Sequence, residues 1–315
     1  MVEKIDMITT ILLKPYPSTS RKAMEVLWRL SENANADVIL PLLQHLRPYI
    51  QTLLHSHAFR TWFNKQTTSP DYTEFVDTDQ EFSVEIVKKC LQILLRALEF
   101  VCEEDRTKEE RERVLSGLMV YDVLLGDVLR SPDVNSSLVH FFGDNDAQLI
   151  SIFHTLLEIS VSLYRLEMSA VRTSLPATIE ALRRCGPHQN FTRLLEITAY
   201  DYTIFLDFLA SSETSFLEYF VKYLKLVESD VGDFCRACRG MDAAYDEDEE
   251  GDVDDGVTRE RFLEVWSCLV EVVEKASERG EFPYDPSVLL RRLRRAIEVV
   301  EGFGEDDVEM ADGGG

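Results

Sequence analysis

The sequence predicts an all-α protein, and three observations carry that expectation. Apolar residues recur at spacings of three and four through nearly every longer segment, the period of an amphipathic helix. Strand alternation closed by Asn-Gly or Asp-Gly hairpin turns is missing; the one Asp-Gly inside the body lies in an acidic run. Apolar residues make up 45% of the 315, enough for a chain of this length to bury a sizeable core. Many helices with short connections leave two architectures, an armadillo/HEAT-like α-solenoid of stacked pairs or a layered helical bundle. The helix pairs recur at roughly the armadillo or HEAT period, but no clean repeated motif accompanies them.

From the N-terminus, periodicity predicts helices near 3–14, 20–32 and 36–55, then a long polar loop over 64–80 that contains Pro70. The next helix, 81–104, sets Ile86, Cys90, Ile93, Leu94, Ala97 and Val101 on one face. Helices near 107–130 and 135–142 come next. Asp144 or Asp146 is placed to cap a helix over 145–168. After a helix at 175–185, Gly186 reads as a C-cap before Pro187. Helices near 189–210 and 214–228 hold the most aromatic stretch, and 258–279 and 286–300 close the series.

The stretch from Phe205 to Asp230 raises the main question. Ser215 and Glu218 fit a capping box at its second helix. Beyond that cap, Phe216, Phe220, Leu224 and Val227 form one stripe; Tyr219, Tyr223 and Leu226 form another. Only Glu218, Lys222 and Lys225 make a polar strip, with Glu218 and Lys222 in the favourable i,i+4 order. A helix apolar over about three-quarters of its girth must be covered on several sides. An inner helix is the first expectation. The second leaves Tyr219 and Tyr223 open to a partner.

Charge narrows the function classes. The formal net charge is -24, yet fifteen acids lie in two base-free segments, 241–256 and 301–315. Both are expected to be disordered acid-rich stretches. The remainder holds 42 acids against 33 bases, so the body is mildly acidic, and direct nucleic-acid binding is disfavoured. No run of about 18 uncharged apolar residues predicts a membrane span. The first residues lack the basic start and long apolar region of a signal peptide. Six cysteines in mostly helical runs fit free thiols better than a disulfide framework. A cytoplasmic or nuclear setting is the corresponding expectation.

Motifs for chemistry are sparse. There is no Gly-rich phosphate loop, no G-x-S-x-G elbow and no H-E-x-x-H. His55 and His57, two apart, face different ways on a helix. Cys235 and Cys238 form a lone C-x-x-C without a second ligand pair, so structural thiols outweigh zinc or redox readings. The acidic run fails as a calcium loop: with Asp246 at position 1 and Gly251 at position 6, position 12 is Val257 instead of Glu. Asp201, Asp207, Glu213 and Glu218 show no catalytic pairing. No cofactor and no metal are expected. The helix from Leu289 to Val300 sets Arg291, Arg292, Arg294 and Arg295 beside leucines; it reads as a capping helix that offsets nearby acids, or as a docking face.

Three blocks carry a resemblance. The first supplies Ser211, Glu213, Thr214, Phe216, Leu217, Glu218, Tyr219, Tyr223 and Leu224, then Lys225 and Leu226. The second, 282–299, opens on Phe282, Pro283 and Tyr284 ahead of the leucine-arginine helix. The third, 139–159, is acid-rich and then leucine-rich. Taken in chain order, the third block first, they resemble the Lines family, the segment-polarity protein Lines and its homologues. The resemblance spans Val139 to Val299, and since the animal members are longer, it reads as their later part. It implies an armadillo-like helical protein with no known catalytic site. It also implies a regulator of Wnt- and Hedgehog-type signalling, able to act in the nucleus through transcription-associated proteins.

The resulting expectation is a non-enzymatic scaffold that binds other proteins. The alternatives are a HEAT or armadillo-type transport or assembly adaptor, and an enzyme with an unrecognised pocket. The candidate partner-binding residues are Tyr219, Tyr223, Arg291, Arg292, Arg294 and Arg295. The expected organisation is a helical domain over 1–240, an acidic linker over 241–256, a C-terminal helical module over 257–300 and a tail over 301–315.

Overall fold

The computed structural model describes residues 17–32, 35–55, 84–129, 138–139, 142–165, 169–184, 186–245 and 257–303. Among them the structure is all-α, with no strand. The helices are α1 (Pro17–Glu32), α2 (Ala36–His55), α3 (Val84–Cys102), α4 (Lys108–Leu118), α5 (Asp122–Leu129), α6 (Asp146–Arg165) and α7 (Ser169–Ser174). They continue with α8 (Pro176–Arg184), α9 (Pro187–Ile197), α10 (Tyr202–Ala210), α11 (Phe216–Ser229), α12 (Val231–Tyr245), α13 (Val257–Glu278) and α14 (Ser287–Gly302). The expected helix at 3–14, the loop at 64–80, His57, most of 135–142 and the tail beyond Phe303 lie outside the described residues.

Two compact units emerge. The first comprises Met1–Asn145 with Glu158–Cys185. In it α1 packs on α3, α2 and α3 on α4, and α5 on α8. Gly126 permits the last approach, because a Cβ there would meet the Ala177 Cβ at 2.7 Å. Asp122 of α5 then caps α8 from outside: its carboxylate accepts the backbone N–H groups of Thr178 at 2.8 Å and Ala177 at 3.2 Å. The second unit comprises Asp146–Leu157 with Gly186–Gly315. Here α11 and α13 pack on α14, α9 and α13 on α12, and α10 on α11 and α13.

Several boundaries differ from the sequence expectation. The single helix expected over 107–130 is interrupted by a 3-10 turn at Met119–Tyr121, fastened where the Tyr121 hydroxyl donates to the Leu43 carbonyl. The single helix expected over 189–210 is two. The chain reverses through Ala199 and Tyr200, both left-handed at φ 52° and 58°. The Tyr200 N–H reaches the Leu195 carbonyl at 2.8 Å and the Ala199 N–H reaches that of Glu196 at 2.9 Å, a Schellman end built without glycine. Helices α7 and α12 are not expected from periodicity as separate elements. The acidic stretch expected to be disordered from 241 is helical as far as Tyr245; residues 246–256 lie outside the described residues.

The caps are also redistributed. Gly186 has φ −64° and opens α9 as its N-cap with Pro187 behind it, so it is no left-handed C-cap of the preceding helix. The capping box expected at Ser215 does not form: ψ 25° leaves no side-chain bond from that serine, and Glu218 turns to Lys222 at 2.8 Å. A capping box does form at Thr107 and Glu110 on α4. Asp144 contacts Lys88 at 2.6 Å, and α6 begins at Asp146 itself.

Of the described helices, only α6 is long and apolar enough to cross a membrane. Leu149, Ile150, Ile152, Phe153, Leu156 and Leu157 on it are buried in the protein, as in a core helix.

Candidate functional site

The aromatic block resolves into the core of the second unit. On α11, Phe216, Tyr219, Phe220, Tyr223, Leu224 and Val227 are buried. Phe191 of α9 stacks on Tyr223 with centroids 4.0 Å apart and on Phe220 at 5.6 Å. Phe205 of α10 meets Phe216 edge-on at 5.5 Å. Phe234 of α12 and Phe262 and Trp266 of α13 extend the cluster through contacts of 5.2 to 5.7 Å. Tyr219 and Tyr223 are 1% and 0% exposed, so neither offers a face to a partner. The apolar girth of α11 brings α9, α10 and α14 onto it, and the tyrosine stripe is covered with the rest.

Polar atoms inside this core are few and specific. His188 Nδ1 lies 3.3 Å from the Tyr223 hydroxyl. Burial first, and then the charge of Arg236, push the His188 imidazole down to about 3, so it is neutral near pH 7. Its Nε2, the Tyr219 hydroxyl and the Trp266 indole N–H are buried without a hydrogen-bond partner among the described residues. Burial alone raises the Tyr219 phenol above its ordinary range, and it stays protonated.

The first and second signature blocks, distant in sequence, meet in the same unit, whereas the third, 139–159, is divided between the two units. The Tyr284 hydroxyl donates to the Leu209 carbonyl at 3.1 Å, joining the second block to the end of α10. Phe282 packs edge-on against Tyr284 at 4.8 Å, while Pro283 is exposed. In the first block, Ser211 Oγ accepts the Glu213 N–H at 3.1 Å and Thr214 Oγ1 donates to the Phe208 carbonyl at 3.2 Å. Leu217 is half-buried and Glu213 exposed.

The four arginines of α14 part ways. Arg292 is half-buried and clamps Glu228 of α11, with Nη1 at 2.7 and 2.9 Å from the two carboxylate oxygens. Arg294 contacts Glu274 of α13, and Arg295 reaches Glu298 at 2.6 Å; both remain more than half exposed. Arg291 is exposed and has no ion-pair partner among the described residues. Val288, on the same face, is 47% exposed. From α13, the Arg259 guanidinium donates to the Val300 and Phe303 carbonyls at 2.7 and 3.0 Å and so caps the C-terminus of α14.

The reactive residue types do not converge. Cys235 and Cys238 are buried thiols, and burial raises Cys235 above its ordinary range. No group of three or more His, Cys, Asp or Glu is placed to hold a metal ion among the described residues. Asp201 caps α10 by accepting the Thr203 N–H at 2.9 Å. Asp207 is exposed, and Glu218 lies against Lys222. One carboxyl pair escaped sequence reading. Asp230 and Asp233 hydrogen-bond to each other at the α11–α12 corner; burial, then the Asp233 charge, raise Asp230 to about 6. Asp230 also accepts the Asp233 backbone N–H, so the pair serves as an N-cap of α12, backed by Arg236. The D-x-x-D spacing across the start of α12 is the signal the sequence carries for it.

Against known proteins, a family model described as Lines N-terminus matches residues 35–238. The chain belongs to the Lines family. The match corrects two expectations. It reaches back to residue 35, so Lines character extends well before 139, and the model describes the family's N-terminus, where the later part of longer members was expected. The block at 282–299 lies beyond the matched stretch. Among similar proteins, Protein Lines homolog 1 of Homo sapiens is 51% identical over 100 residues, 31% of this chain and 11% of that protein. Its Mus musculus counterpart is 54% identical over 55 residues, 18% of this chain and 7% of that protein. Protein lines of Drosophila melanogaster is 22% identical over 268 residues, 80% of this chain and 29% of that protein. The chain thus aligns with less than a third of the length of each of these Lines relatives. No solved structure matches it.

Proposed function

We propose that this chain is a non-enzymatic helical scaffold of the Lines type. It binds other proteins in Wnt- or Hedgehog-type signalling or in transcriptional regulation, in the cytoplasm, the nucleus or both, and needs no cofactor. The docking face is the outer side of α14. The observation that carries this is the split among its arginines: Arg292 is spent on holding α11, while Arg291 is exposed and unpaired among the described residues. A helix that only capped the fold would gain nothing from Arg291 and an exposed Val288. Reactive groups that are capped, buried or dispersed support a role in holding shape over one in chemistry.

The test compares proteins captured from native cells by the wild-type chain and by an Arg291→Glu, Arg295→Glu double variant. Loss of a discrete set of captured proteins, with helical circular dichroism unchanged, supports the reading. An identical captured set removes α14 as the docking face.

A further inference from the structure

Resting on α14 as the docking face, we propose that Val288, Arg291 and Arg295 receive an acidic amphipathic segment of a partner protein. Its carboxylates pair with the two guanidiniums, and an aliphatic side chain one turn away rests on Val288 at the N-terminal end of the line.

Spacing supplies the geometry. Residues 288, 291 and 295 stand at i, i+3 and i+7, one line along the helix roughly 10 Å long at 1.5 Å per residue. The opposite side of α14 is filled by Leu289, Leu290, Leu293, Ala296 and Val300, all buried. The line is therefore the outward face, not an edge of the core. Two turns of a partner helix would cover it.

Charge supplies the chemistry. Ser287 to Ile297 contains four arginines and no acid. Arg292 and Arg294 are engaged by Glu228 and Glu274 from neighbouring helices. Arg295 has only Glu298 of its own helix, an exposed i,i+3 pair that an incoming carboxylate can replace at small cost, since exposed pairs are worth about 0–1 kcal/mol. Arg291 is available as it stands. Guanidinium forks bind carboxylates in pairs of parallel hydrogen bonds, which gives such a face direction as well as attraction.

Other ligands fit less well. Two guanidiniums on one line meet too few phosphates to hold the extended backbone of nucleic acid, whose affinity grows with the number of contacts. A single half-exposed valine offers too little apolar area to hold a membrane surface. The acidity of the rest of the chain acts over only about 8 Å at physiological salt, so the local arginines govern a contact this close.

The probe is a fluorescent 18-residue peptide with leucine once per turn and glutamate at the flanking positions, followed by anisotropy with the full chain. Saturable binding is expected, weakened at least tenfold by raising salt from 50 to 300 mM. A tenfold loss is expected when the peptide's glutamates become glutamines, and similar losses with Arg291→Glu, Arg295→Glu or with Val288→Asp. Arg183→Glu with Arg184→Glu, exposed arginines of the first unit, should leave binding unchanged. Absence of binding overturns the inference, as does binding indifferent to the α14 variants or to the glutamine exchange. The peptide should also displace proteins captured through α14. If capture depends on Arg291 and Arg295 but the peptide neither binds nor displaces, the acidic-segment inference falls and the docking reading stands. If capture ignores those arginines, the docking reading itself falls.

Discussion

Two tyrosines one turn apart on α11 sit in the same core with opposite polar accounts. The Tyr223 hydroxyl has His188 at 3.3 Å, whereas the Tyr219 hydroxyl has no partner among the described residues. A buried hydroxyl left unpaired costs about 1–3 kcal/mol, and a typical paired one contributes about 1. Tyr219→Phe is therefore expected to be neutral or to stabilise by about 1 kcal/mol, and Tyr223→Phe to destabilise by about 1 kcal/mol, in urea titrations at pH 7. Equal effects would contradict the assignment. His188 sets a pH dependence. Its folded value, near 3, lies below the usual 6.5, so the unfolded chain binds the proton first. The stability it permits is complete above pH 6.5 and falls as pH drops toward 3, by about 1.4 kcal/mol per unit at the steepest. His188→Gln should flatten that decline between pH 6.5 and 4.5, read as a narrowing gap between the two proteins in parallel urea titrations.

At the scale of the element, α14 shows how one helix divides its labour. Its leucines face α11 and α13, Arg292 crosses to Glu228, and its last carbonyls are closed by Arg259 from α13. Removing Arg292 leaves Glu228, itself only 17% exposed, without its partner. Arg292→Ala is expected to cost about 1–2 kcal/mol, while Arg291→Ala changes stability by less than about 0.5, since nothing in the fold leans on it. Thermal midpoints of the two variants check this, and a matching drop in both would argue that Arg291 also serves the fold. The helix ends show why some local readings miscarry. Thr107 with Glu110 and Ser215 with Glu218 share one pattern, yet only the first closes a box. Whether a serine's ψ is extended depends on the approach of the preceding chain, and the Ser211–Thr214 turn decides that. Likewise, no glycine marks the end of α9. Ala199 and Tyr200 accept left-handed geometry because α10 must pack on α11 and α13, a requirement local propensity does not contain.

For the whole molecule, the matched family stretch and the folding unit do not coincide. The match ends at 238, but Phe262 and Trp266 of α13 complete the ring cluster around Phe234, and α14 covers α11. A fragment cut to 35–238 is expected to keep much of its helical signal while losing near-ultraviolet dichroism and binding a hydrophobic dye. A chain ending at 303 should do neither. A native-like near-ultraviolet spectrum from the short fragment would show that α13 and α14 are dispensable to the core. The sequence by itself determined the all-α class, the placement of most helices, the family and the inner position of α11, because a periodic apolar face is a local property that must be buried somewhere. Only the tertiary structure decided what buries it. His154 of α6 with His188 and Phe191 of α9 close over the tyrosine stripe, rings from α10, α12 and α13 extend that cluster, Glu228 claims Arg292 from 64 positions away, and Arg291 is left outside. Those outcomes depend on contacts between segments far apart in the chain, and periodicity, which ranks the faces of each helix one at a time, does not record which segments meet.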